Sequence, residues 1–208
     1  RDTAAQEAGV FDVEIVAVDV PQRRGEPVRV TQDEGVRPDT TVETLAGLRA
    51  AFAEGGSITA GNSSPISDGA SAVVVTTRRT AQAKGWPVLV TVGASGQTAG
   101  PDNSLQAQPA RAIERACEKQ GIAPSELDLV EINEAFGAVV ARSQVELGLD
   151  EAIVNIHGGG IAIGHPIGAS GNRLVVHVAH ELARRGAGTA AVGLCGGGGQ
   201  GEALILTR

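Results

Sequence analysis

Two side chains near the C-terminus have the reactivity for chemistry, and both stand among glycines. His165 lies inside His157-Gly158-Gly159-Gly160-Ile161-Ala162-Ile163-Gly164-His165-Pro166-Ile167-Gly168-Ala169-Ser170-Gly171. Cys195 opens Cys195-Gly196-Gly197-Gly198-Gly199-Gln200-Gly201. An imidazole titrates near neutrality and moves protons, and a thiol serves as nucleophile or acid. Glycines beside them leave backbone N–H groups open to a substrate oxygen. Acyl or carbanion chemistry needs that combination.

Such groups need elements to hold them. Leu129-Val130-Glu131-Ile132 reads as a buried strand that meets a helix at Asn133-Glu134-Ala135-Phe136 and runs on to about Leu147. Asn133 therefore stands where a strand ends and a helix begins, the edge where α/β folds bind ligands. Val154-Asn155-Ile156 reads as a short strand entering the first glycine stretch, and a helix follows from about Ala169 to Arg185, with Ser170 in its first turn. Thr189–Leu194 and Glu202–Thr207 read as strands joined by the Cys195 loop. Upstream, Val88–Ser95 is a strand and Ala110–Gln120 an amphipathic helix stopped by Gly121. Cys117, among Ala112, Ile113 and Ala116, is expected to be a small core hydrophobe. Strands alternating with helices place the chain in the α/β class.

The first part of the chain is less regular. Residues 1–9 read as the tail of a helix, Phe11–Val20 as a strand that is half exposed and then buried, and Val28-Arg29-Val30 as its short returning partner. Arg23 and Arg24 would lie at the tip between them. Thr41–Arg49 has helical spacing, with Thr41 and Thr44 at its start. Ser57–Pro65 reads as a strand passing into a polar loop, Ala70–Val75 is strongly apolar, and Thr80–Lys84 is a short helix ended by Gly85.

Composition narrows the function. The chain has 208 residues, enough for a substantial core, with 42% hydrophobic and 20% charged residues, so it is globular. Aromatics are only 2%, too few for a base-stacking surface, and the net charge of −7 argues against nucleic acid or an anionic membrane as partner. No apolar run approaches the roughly 18 residues of a membrane span. The two cysteines are expected to be free thiols in a reducing cytosol. His177 and His180, three apart on one helix, lack an evident third metal ligand. The chain contains no methionine and opens in mid-pattern, as a piece of something longer would.

Phosphate binding is the obvious rival use of a glycine loop. Walker A needs Gly-Lys-Ser/Thr, and the dinucleotide fingerprint needs a helix directly after its third glycine. Neither stretch fits. A purely structural hairpin is the plain alternative, but four consecutive glycines beside a cysteine are costly in conformational entropy for a mere turn.

Three motifs in register give the chain a family. Asn133-Glu134-Ala135-Phe136, then Gly164-His165-Pro166-Ile167-Gly168-Ala169-Ser170-Gly171, then Cys195-Gly196-Gly197-Gly198 resembles the thiolases in order and spacing. Gly35-Val36-Arg37-Pro38 and Thr59-Ala60-Gly61-Asn62 are similar to further thiolase segments. The resemblance implies an α/β thiolase fold, layered α-β-α-β-α with mixed sheets. It assigns residues 1–66 to the end of a loop domain on the coenzyme A side, 67–87 to the last segment of an N-terminal core domain, and 88–208 to the C-terminal core domain. The nucleophilic cysteine of the family belongs to the missing N-terminal half, and Cys117 does not match it.

The resemblance also implies the chemistry: acyl transfer through a cysteine thioester, coupled to Claisen condensation or thiolysis of coenzyme A thioesters, as in an acetyl-CoA acetyltransferase. His165 would take a proton from the absent cysteine, and Asn133 would position a water beside it in one oxyanion hole. Cys195 would move a proton at the substrate α-carbon, its pKa drawn toward neutrality by nearby N–H groups, and the N–H of Gly197 would serve a second oxyanion hole. Arg37 and Thr44 match positions that meet the nucleotide end of coenzyme A, and Phe52, Ala60 and Ser64 match positions along its pantetheine. Coenzyme A is then a substrate, and neither a cofactor nor a metal is implied. Further implications are a cytoplasmic homo-oligomer, dimer or tetramer, and inactivity of this half alone. A non-catalytic coenzyme A- or lipid-binding protein on the same scaffold is the alternative. His157 stands where the family more usually has Asn.

Overall fold

The computed structural model describes residues 1–208. In chain order the elements are α1 (Asp2–Glu7), β1 (Val18–Val20), β2 (Val28–Val30), α2 (Val42–Ala46), α3 (Arg78–Lys84), β3 (Thr91–Ala99), α4 (Gln108–Gln120), β4 (Leu129–Ile132), α5 (Gly137–Leu147), α6 (Gly160–Ile163), α7 (Ile167–Arg185), β5 (Thr189–Gly196) and β6 (Gln200–Thr207). Four strands form the main sheet in the order β3-β6-β5-β4. The β3–β6 and β6–β5 pairs are antiparallel, and β5–β4 is parallel. A parallel neighbour needs a crossover, and α5, α6 and α7 lie on the path that supplies it.

Each face of the sheet has its own core. Ala112, Ile113, Ala116 and Cys117 form the buried stripe of α4 and pack with Val130, Ile132, Val139, Ala191 and Ile205. Leu174, Val178 and Leu182, one turn apart on α7, pack with Leu129, Ala190, Val192 and Leu206 on the other face. The small side chains let helices sit close: a Cβ on Gly193 would meet the Ile113 side chain at 2.9 Å. Both long helices are stopped by left-handed glycines, Gly121 at φ 79° and Gly186 at φ 83°. The expected α/β class and the buried role of Cys117 are both found.

Strand period then decides what reaches the site. Along β4, Val130 and Ile132 join the α4 core while Leu129 joins the α7 core. Glu131 shares the α7 face with Leu129, and so does Asn133, the next residue of that parity. Glu131 is fully buried there.

Several elements differ from expectation. Only Val18–Val20 of the expected Phe11–Val20 strand is extended into a ladder, and all three residues are exposed. Its sole partner is β2, so a two-stranded ribbon has no face to bury. Ser57–Pro65 makes only isolated bridges around a short 3-10 turn at Ala60–Asn62. Asn155 is not in a strand; its φ of 45° turns the backbone out of line. The strand expected at Val88–Ser95 runs instead over Thr91–Ala99, where β6 offers it partners. Ala70–Val75 pairs with nothing, and Val74 and Val75 are 86% and 75% exposed. They line an apolar groove of about 770 Å³ with Val88, Leu89, Val176 and Leu206.

Candidate active site

Asn133 is set by its neighbours before its side chain is considered. Its N–H donates to Gly193 O at 2.9 Å, extending the β4–β5 ladder by one residue. The Asn155 side chain closes the other edge of β4: Oδ1 accepts from the Ile132 N–H at 2.7 Å, and Nδ2 donates to the Ile132 carbonyl at 2.9 Å. Asn155 Nδ2 also donates to Glu134 Oε1 at 3.1 Å, while Glu134 Oε2 accepts from the Ile161 N–H at 3.1 Å. One carboxylate thus ties the end of β4 to the first glycine stretch. Glycine is required where they meet, because a Cβ on Gly159 would lie 2.8 Å from Glu134 Cδ. Asp2 holds the same stretch from the other side, accepting from the Gly159 N–H at 3.2 Å. Burial, with Glu134 nearby, raises the Asp2 carboxyl from the usual 3.8 to about 6, against the lowering effect of that Gly159 hydrogen bond.

His165 follows Gly164, whose φ of 99° makes the turn between α6 and α7. Its Nε2 lies 3.1 Å from Asn133 Nδ2, and its Nδ1 lies 2.6 Å from Ser170 Oγ. Two of the expected site residues therefore meet directly. Burial depresses the His165 pKa, and the Arg173 guanidinium depresses it further. The imidazole is neutral at pH 7, the state a general base requires.

Cys195 lies within β5, two residues past Gly193 and opposite Gly201 of β6, at the same sheet end as Asn133, so the strand runs past the expected Leu194. It packs against the α4 core, and no hydrogen bond joins it to His165 or Asn133. The expected fall of its pKa is corrected. Burial raises the thiol above its ordinary value, and the local backbone hydrogen bond offsets only part of that. Gly197 is exposed at the tip of the loop, its carbonyl accepting from Gln200 Nε2 at 3.2 Å. Gly199, at φ 75°, seats the loop against the Asp102 carbonyl with no room for a Cβ.

The five residues expected on the coenzyme A side are spread along residues 37–64 and differ in freedom. Ser64 sits close to the site: its N–H and its hydroxyl each donate to Ala135 O at 3.2 Å. Phe52 stacks edge-on against Phe136 with centroids 5.8 Å apart, yet is 73% exposed. Ala60 opens the 3-10 turn, and Arg37 is exposed with no ion pair. Thr44 is otherwise engaged, since its hydroxyl accepts from Thr41 N and donates to Thr41 O, both at 2.9 Å, in the α2 cap.

Other residues were not expected to take part in the chemistry. His177 is saturated: Nδ1 meets Glu14 Oε1 at 2.7 Å and Nε2 meets His157 Nδ1 at 3.1 Å, so it has no lone pair for a metal. No group of three or more His, Cys, Asp or Glu side chains is arranged to hold one. Burial pushes the Glu131 carboxyl up to about 7, only partly countered by His177 and Arg173. Glu131 carried a legible signal, a lone acid in an otherwise apolar strand. The bonds of Asn155 and Ser170 had none, because each depends on a backbone turn that residue types do not reveal.

Comparison with known proteins identifies the family and the fold. Residues 86–208 match the family described as thiolase, C-terminal domain, and residues 1–79 match thiolase, N-terminal domain. The chain is 55% identical over 208 residues to a probable acetyl-CoA acetyltransferase of Mycolicibacterium smegmatis, covering 100% of this chain and 54% of that one. The fold superimposes on the crystal structure of the Bacillus anthracis acetyl-CoA acetyltransferase with a TM-score of 0.94 and 38% identity, over 99% of this chain and 52% of that one. It superimposes on human mitochondrial 3-ketoacyl-CoA thiolase in complex with CoA with a TM-score of 0.92 and 37% identity, over 100% and 51%. The chain spans about half the length of the curated relatives it matches. Matched from end to end by thiolase sequences and thiolase folds, it belongs to the thiolase family.

Proposed function

We propose that these residues form the acid–base half of a site for acyl transfer and carbon–carbon bond change on coenzyme A thioesters, of the acetyl-CoA acetyltransferase kind. The observation that carries this is the Asn133–His165 contact at 3.1 Å, with a neutral imidazole beside the end of β4. His165 Nε2 takes the proton of the attacking thiol and later, as imidazolium, returns it to the departing coenzyme A sulfur. Between those two transfers, while Nε2 is protonated, the imidazolium and a water positioned by Asn133 face the thioester oxygen as donors. Cys195 exchanges a proton with the substrate α-carbon. Its raised pKa keeps it a thiol until an enolate needs the proton, and the Gly197 N–H faces the second oxyanion. Ser64 and Phe52 line the approach for the pantetheine arm, with Arg37 toward the nucleotide end.

The acyl-bearing cysteine belongs to an N-terminal half outside these residues, since Cys117 is buried in the α4 core. The unpaired Ala72–Val75 run and its groove are where that half docks. The reading keeps the domain limits that the resemblance implies: 1–66 loop domain, 67–87 completing the N-terminal core, 88–208 C-terminal core.

The test is thiolysis of acetoacetyl-CoA by the enzyme containing both halves. His165→Ala and Cys195→Ala each lower turnover by at least about 10²-fold. Near-wild-type turnover in either variant overturns the reading. This chain alone takes no label from radioactive acetyl-CoA, and a stable acyl-cysteine on it would overturn the placement of the nucleophile.

A further inference from the structure

Ser170 reaches both the histidine and the turn that carries it. It is 1% exposed, in the first turn of α7. Its Oγ lies 2.6 Å from His165 Nδ1 and 3.0 Å from the Pro166 carbonyl oxygen four residues back. A carbonyl only accepts, and a hydroxyl has one proton. If that proton pointed at Nδ1, two oxygen lone pairs would face each other across 3.0 Å. If it points at Pro166 O, the Oγ lone pair faces Nδ1, and Nδ1 must carry the proton. Only the second arrangement places a proton in both contacts.

Asn133 does not make this choice. Its amide can present either Nδ2–H to a bare Nε2 or Oδ1 to a protonated one, and Oδ1 is buried without a partner as it stands. In water the Nε2–H form of histidine predominates, so the reverse form has to be imposed. Burial and the Arg173 guanidinium act on the charge of the ring and not on its tautomer, since both oppose the imidazolium.

We propose that Ser170 is a positioning residue that fixes the His165 tautomer. It holds the ring proton on Nδ1 and keeps Nε2 bare toward Asn133. It does so because its own proton is committed to the carbonyl of Pro166, the residue next to the histidine. The inference rests on the reading of His165 as the base, yet its test does not pass through that activity.

The experiment is nitrogen NMR of this chain with ¹⁵N-labelled histidine, at a pH above the imidazolium range. The expected His165 signals are a pyrrole-type Nδ1 and a pyridine-type Nε2. Ser170→Ala moves the tautomer ratio toward Nε2–H by about fivefold, the effect of one ordinary hydrogen bond. Ser170→Thr, which keeps the hydroxyl, restores the wild-type pattern. A pyrrole-type Nε2 in the wild-type chain overturns the proposal, whether or not any variant folds. So does an unchanged ratio in a folded Ser170→Ala. Loss of thiolysis in His165→Ala with the wrong tautomer in wild type would sink this inference and leave the proposed function standing. The expected tautomer with an active His165→Ala would do the reverse.

Discussion

Asn155 Nδ2 donates at once to the Ile132 carbonyl and to the Glu134 carboxylate, at 2.9 and 3.1 Å, so one amide spans both sides of Asn133. Neither bond runs through the Asn133 or His165 side chain, yet together they determine where Asn133 ends up. Asn155 is 3% exposed and adopts φ 45°, a conformation Asn tolerates better than most residues.

Asn155→Ala therefore strands the Ile132 N–H and carbonyl and puts Ala in a left-handed position. A loss of about 2–3 kcal/mol is expected, readable as a lower midpoint in urea. Asn155→Gly relieves the backbone and not the hydrogen bonds, so it recovers only a fraction. A loss below about 0.5 kcal/mol for Ala would contradict the bracing role.

The raised carboxyls should make stability fall as pH rises from acid to neutral, a slope that the depressed imidazoles of His157 and His165 oppose. Glu131 is raised from the usual 4.5 to about 7, and Asp2 from 3.8 to about 6, each chiefly by burial. A carboxyl with a raised folded pKa favours the fold most below its unfolded pKa and loses that contribution as pH passes the folded value. The window is therefore about pH 4 to 7. For Glu131 the effect is roughly 3 kcal/mol across it. His177, raised by its Glu14 bond and by Glu131 against the opposing effect of burial, adds a loss of the same sign above its usual 6.5. Glu131→Gln should flatten much of this slope in denaturation curves at pH 5 and 8. An unchanged slope would count against it.

Alkylation should separate the two thiols. Both are raised by burial, but Cys117 is 1% exposed in the α4 core while Cys195 is only half-buried near the end of β5. Iodoacetamide followed by peptide mass analysis should label Cys195 first, with a rate still climbing past pH 9.0. Fast labelling at pH 7 would restore the depressed pKa that the glycine loop alone implied.

Gly199→Ala should distort the Cys195 loop. The site has φ 75° and no room for a Cβ beside the Asp102 carbonyl. A loss of about 1–3 kcal/mol is expected, with faster amide exchange over Cys195–Gly201. Gly197→Ala is the control, because nothing lies within 4 Å of a Cβ there.

The parts of the fold that were legible in sequence are those governed by local period. The α4 stripe, its Gly121 stop, the acid-interrupted β4 and the α2 cap at Thr41 all have spacings that repeat within a few residues. What the sequence hid depends on partners far along the chain. Val88–Val90 lies outside β3, because β6 determines which residues pair. Val73–Val75 has the look of a buried strand and no neighbour to pair with. At the site, His165 and Cys195 were visible as residue types in glycine settings, and Asn133 by its place where a strand ends and a helix begins. The pKa of Cys195 was misjudged because burial, which composition cannot show, outweighs backbone donors. The carboxylate and amide bracing was invisible, since Glu134 and Asn155 are 21 positions apart.

The chain's first two residues are foundations of the site. Arg1 donates to the Val154 carbonyl at 2.6 Å, and Asp2 fills the space where Gly158 would otherwise carry a side chain. The Asn133, His165 and Cys195 motifs all lie more than a hundred residues away. A polypeptide trimmed to begin at Phe11 would keep all the motifs and lose the abutment beneath the first glycine stretch.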